Sequence, residues 1–164
     1  MVLQIISYDF DEILPTQTLT NIISLNDEER HVLAALGYRA KTFAPYLAKT
    51  LTVRIQKFVS LNTGCLSNSA DIQLYLQDWF LQLFQCREEK FIEFQEYFSP
   101  VPVNLIMIGI DIILAYGNKV TQFSINHETA VEAFSKALAI KIANDQLQTQ
   151  VGESQYYEEL ILLD

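Results

Sequence analysis

Between Val103 and Tyr116 only Asn104 and Asp111 are polar. This run constrains the fold more than any other stretch of the chain. A helix apolar on every side must be covered on every side. In a chain this long, that predicts the centre of a helical core or a face shared with a second copy. The run falls well short of the ~20 residues a membrane span needs, and Asp111 interrupts it. Ser99-Pro-Val-Pro102, just upstream, reads as a corner.

The flanking sequence can supply the cover. Half of the 164 residues are hydrophobic and 12% are aromatic, which argues against disorder. One domain of this length can bury roughly 70% of its unfolded surface. Five Gly and four Pro are too few for a loop-rich β sandwich and predict helices joined by short connections. Leu25-Asn-Asp-Glu-Glu29 is a helix start, with Asn26 as cap, Glu29 closing a capping box and acids at the positive helix end. Val32, Leu33 and Leu36 form its apolar face, and Gly37 is expected to end or bend it. Pro45 belongs in a first turn, so a second helix is expected to begin beside it. That helix carries Phe43, Leu47, Leu51, Ile55 and Phe58 as a stripe and stops at Asn62-Thr-Gly64.

The cleanest periodicity lies in Ser69 to Gln85. Ile72, Tyr75, Leu76, Trp79, Phe80, Leu83 and Phe84 recur at helical spacing as one broad aromatic face. Glu88 to Phe98 predicts a shorter helix bearing Phe91, Ile92, Phe94 and Phe98. Ser124 or Asn126 caps a last long helix whose inner face is Ala130, Val131, Phe134, Ala137, Leu138, Lys141 and Ile142. Residues 1–24 read as an arm or short helix, 25–148 as the domain and 149–164 as a tail. No strand, repeat or low-complexity tract stands out.

The net charge of −9 argues against nucleic acid and against an anionic membrane surface, since both call for clustered cations. Its simplest use is solubility. Cys65 and Cys86 make no disulfide framework, and residues 1–10 lack a basic leader segment, so a cytoplasmic protein with free thiols is expected. His31 and His127 lie far apart and lack metal-ligand spacing. No nucleophile elbow, phosphate loop or paired-carboxylate spacing is present, so an enzyme is the least expected class.

Several short segments, in order, resemble the globin domain of bacterial sensor globins and protoglobins. The family's Leu-Thr-x-Glu-Glu start is similar to Leu25-Asn-Asp-Glu-Glu29, and its Glu-Pro-His-Leu step to Ala44-Pro-Tyr-Leu47. Its Leu-Phe-Ser-Gly helix end looks like Leu83-Phe-Gln-Cys86, and its Ile-Gly-Leu-Pro-Pro corner like Phe98-Ser-Pro-Val-Pro102. Its long final helix looks like residues 127–148. The resemblance spans Leu25 to Gln148 and implies an all-α, globin-like helical bundle.

The departure is at the iron. The family's proximal histidine precedes the corner; anchoring on the corner puts Gln95 there, and anchoring on the upstream helix puts Pro102 there. Neither is a usual haem ligand, so haem is not expected. The resemblance then implies a haem-less sensor domain, of the kind found in stressosomes and in free-standing sporulation inhibitors that bind fatty acid. Trp79, Phe80, Leu83, Phe84, Phe91, Phe94 and Phe98 either fill the haem space or line a pocket for an apolar ligand. Gln95, Asp111 and Arg54 are its candidate polar contacts, with Lys119 or Lys57 as further partners for a carboxylate. Asp111 needs a partner, whether structural, ligand or subunit. A homodimer through the last two long helices, signalling to a protein partner, completes the expectation. The alternatives are a haem-binding gas sensor with an atypical ligand, and a ligand-free structural interaction protein.

Overall fold

The structure, a computed structural model, describes residues 24–62, 69–85 and 101–162, with side chains described to residue 147. It is all-α, with no strand among the described residues. Five helices follow one another: α1 (Asp27–Asn62), α2 (Ser69–Gln85), α3 (Val103–Met107), α4 (Ile110–Thr121) and α5 (His127–Leu162). The long α1 is the spine. It packs most extensively on α2 and also meets α4 and α5. The expected helix over Glu88–Phe98, with Phe91, Phe94, Gln95 and Phe98, lies outside the described residues, as do the N-terminal arm, Cys65 and Cys86.

The start of α1 follows its sequence signal. The Glu29 N–H donates to Asn26 Oδ1 at 2.8 Å, and Glu29 Oε1 accepts the Asn26 N–H at 3.1 Å. Both halves of the capping box are therefore made. The expected break at Gly37 and restart at Pro45 does not occur, because α1 runs through both. Its buried stripe explains why. Leu33, Leu36, Ala40, Ala44, Leu47, Ala48, Leu51, Ile55 and Val59 continue across both positions without a gap. Pro45 stands on the exposed side, where water can serve the Lys41 carbonyl that loses its donor.

The apolar run from Val103 also departs from expectation. It is two helices broken at Ile108–Gly109, and it is covered on one side only. Val103, Ile106, Ile112, Ile113, Gly117 and Val120 are buried, whereas Asn104, Asp111, Leu114 and Ala115 are exposed. Gly109 marks the break because its backbone lies against Leu51. A Cβ there would collide with the Leu51 side chain. The Ile112 and Ile113 N–H groups both return to the Gly109 carbonyl, which opens α4.

The start of α5 again follows local signal. Asn126 Oδ1 accepts the Thr129 N–H at 3.4 Å, and the Asn126 carbonyl accepts the Ala130 N–H at 3.0 Å. The helix does not stop near Gln148 but continues through the polar run to Leu162. Inside the bundle Phe134 stacks on Phe84, with ring centroids 5.6 Å apart. Its ring lies against Gly117, where any Cβ would enter the same space. One ring thus locks α2, α4 and α5 together.

Candidate functional site

The aromatic face of α2 is buried as its spacing predicts. Trp79, Phe80, Leu83 and Phe84 are each at most 2% exposed. Phe80 meets Phe84 edge-on at 5.3 Å, and Phe84 passes the contact to Phe134. These side chains pack against protein. Phe91, Phe94, Phe98 and Gln95, expected to face them, are outside the described residues.

Trp79 is the exception to a purely apolar face. Its indole N–H donates to Asp145 Oδ2 on α5 at 2.7 Å. Lys141, one turn earlier on α5, places Nζ 3.8 Å from Asp145 Oδ1 and 5.2 Å from the Trp79 ring centroid. Lys141 is only 3% exposed. The result is a buried cation, a partly buried carboxylate and an indole N–H at the edge of the aromatic core. Burial drives Lys141 below the usual lysine value, against the pull of Asp145. Burial likewise raises Asp145, opposed by Lys141 and by the Trp79 hydrogen bond. Each partner therefore lowers the cost of ionising the other.

Two more buried polar atoms bear on the core. Among the described residues, Gln82 Oε1 on α2 and Thr52 Oγ1 on α1 have no hydrogen-bond partner.

Of the expected polar contacts, Gln95 lies outside the described residues. Arg54 and Asp111 do come together, as an exposed pair across the α1–α4 seam, remote in role from the core. The Arg54 hydrogen bond holds the Asp111 carboxyl below its usual value. Asp111 needs no burial penalty repaired, because the helix carrying it is not buried on that side. Lys119 lies over the Tyr116 ring at 4.7 Å, and Lys57 is exposed. Both histidines are exposed; His127 Nδ1 faces the Thr121 carbonyl at 3.2 Å, and neither joins the α2 face. Among the described residues no cluster of three or more His, Cys, Asp or Glu could hold a metal. No helix among them is long and apolar enough to cross a membrane.

Lys141 was visible as an inner-face position of α5, but its pairing was not. The signal available was the i,i+4 spacing of Lys141 and Asp145, which puts both on one face. Nothing in the sequence joins them to Trp79, 62 and more residues away, or singles out Gln82.

The class defined by this architecture is a helical domain with a buried aromatic core edged by one lysine–aspartate–tryptophan cluster. Comparison with family models, with curated proteins and with solved structures returned no match.

Proposed function

We propose that this chain is a haem-less, globin-like regulatory domain that acts by binding other proteins rather than by catalysis. In this reading its core accepts a fatty acid or another apolar molecule with an acidic head, and Lys141 meets that head. The observation that carries the reading is the buried Lys141 cation beside the aromatic face of α2. An apolar site for an amphiphile needs one cation at the edge of the grease, and a desolvated cation binds a carboxylate more strongly than one in water. The outward placement of His31 and His127 supports a core without haem iron. In this reading a dimer forms through α4 and α5, where exposed Ala115, Ser135 and Ala139 would allow close helix approach and Leu114 would supply apolar contact.

Native mass spectrometry of the protein as purified tests the ligand. A bound lipid of defined mass, depleted in Lys141→Gln, is expected. Bare protein would favour the second reading, a ligand-free interaction domain, which draws support from the direct packing of Phe80, Phe84 and Phe134.

A further inference from the structure

Charge is unevenly divided in this acidic chain. Beyond its first turn, α1 carries Arg30, Arg39, Lys41, Lys49, Arg54 and Lys57 and not one Asp or Glu. Those are six of the chain's eleven Lys and Arg, set against twenty Asp and Glu overall. The net charge therefore conceals a basic helix on an otherwise strongly acidic protein.

Two exposed ridges match within this division. On α1, Lys49, Val53 and Lys57 recur at i, i+4 and i+8, with Val53 60% exposed. On α2, Asp71, Leu74 and Asp78 recur at i, i+3 and i+7, with Leu74 61% exposed. At 1.5 Å rise per residue the charges span about 12 Å on α1 and about 10 Å on α2. Each ridge is an apolar residue between two like charges, and the two are opposite in sign. Among the described residues Lys49, Lys57, Asp71 and Asp78 make no ion pair.

We infer that the α1 ridge Lys49–Val53–Lys57 docks on the α2 ridge Asp71–Leu74–Asp78 of a second copy of this chain. Each copy carries both ridges, so a two-fold axis that joins them makes the contact twice. Lys49 and Lys57 then meet Asp78 and Asp71 in each direction, with Val53 and Leu74 between them. Like-with-like pairing of two α1 helices is disfavoured by their shared positive charge. The occupant is a second copy because the complementary ridge, in sign and spacing, is on this same molecule. The contact is distinct from the α4–α5 dimer and does not depend on the globin-like reading.

Sedimentation velocity of the whole protein tests it, using wild type, Lys49→Glu/Lys57→Glu and Asp71→Lys/Asp78→Lys. All four sites are exposed, and circular dichroism checks that each variant folds. Wild type is expected to self-associate at low salt and to weaken severalfold at about 0.5 M NaCl, where screening acts over a few ångströms. Each variant alone is expected to lose roughly a hundredfold in the association beyond any α4–α5 dimer, since it sets like charges opposite each other. The two variants mixed are expected to associate with each other, because both contacts regain opposite charge. Variants that keep the wild-type association would overturn this contact while leaving an α4–α5 dimer standing. A mixture that fails to associate, or a wild type that stays monomeric, would also overturn it.

Discussion

Glu29 and Lys141 are both 3% exposed, and both carry charge into the bundle. They reach that position differently. Glu29 closes a capping box at the start of α1, and its carboxylate also meets Lys136 Nζ on α5, at 3.1 and 3.0 Å. Its partners are a backbone N–H three residues away and a cation whose own surroundings are partly wet. Lys141 sits in mid-helix and faces Asp145 at 3.8 Å and an indole ring. Burial raises the cost of its charge, whereas Glu29 lifts Lys136 above the usual lysine value. The charge at the helix start is met by a backbone N–H as well as by a cation from another helix; the one in mid-helix has no backbone partner and relies on a carboxylate one turn along and an indole across the bundle.

The largest effect that would sharpen this contrast is at Lys141. Removing one member of a fully buried pair costs about 3–5 kcal/mol, less where one partner is partly exposed as Asp145 is, while replacing both by apolar groups is often neutral. Lys141→Met should lower stability on that scale in urea melts, and Lys141→Met/Asp145→Leu should recover most of it. A single variant no less stable than the double would break the comparison. Gly117→Ala comes next, at about 1–3 kcal/mol from overpacking against Phe134. Phe134→Leu should relieve most of that cost, and additive losses would contradict the ring-against-glycine contact. Asn26→Ala should cost about 1 kcal/mol through the lost cap, read as a shift in the urea midpoint.

The two lysines should also titrate with opposite sign. Lys136 is raised, so its contribution is present below the usual lysine value of 10.5 and is lost as pH rises through its folded value. Lys141 is lowered, so stability climbs as pH rises from its folded value toward 10.5. Asp145 is raised, so its effect is the reverse of the usual carboxylate: stability falls as pH climbs above 3.8 through its folded value. Melts against pH should lose the upward alkaline slope in Lys141→Met and the downward one in Lys136→Met. The smallest effect is expected at Arg54→Ala, since the Arg54–Asp111 pair is exposed to solvent.

Much of the fold could be read from local chemistry. The Asn26–Glu29 box, the Asn126 cap and the buried face Ile72–Leu76–Trp79–Phe80–Leu83–Phe84 all follow from spacing and capping chemistry that act within a few residues. Where the helices depart from expectation, tertiary packing overrode a local signal. Gly37 and Pro45 are local breakers, but a long buried stripe on the opposite side of α1 outweighed them. The apolar run from Val103 suggested burial all round, yet a close approach of Gly109 to Leu51 split it and left Leu114 in water. Asp111, expected to need a structural, ligand or subunit partner, has a structural one in Arg54. In the core, Lys141 was legible as an inward position, but its partnership with Trp79 depends on how α2 meets α5, which no local pattern encodes.

In the proposed function the aromatic core has no iron-bound imidazole, and Lys141 is the charged group at its edge. Absorbance during haem titration tests it most directly. The spectrum of free haem should persist, with no Soret band of a ligated porphyrin. A sharp Soret band that disappears in His31→Ala or His127→Ala would contradict the account.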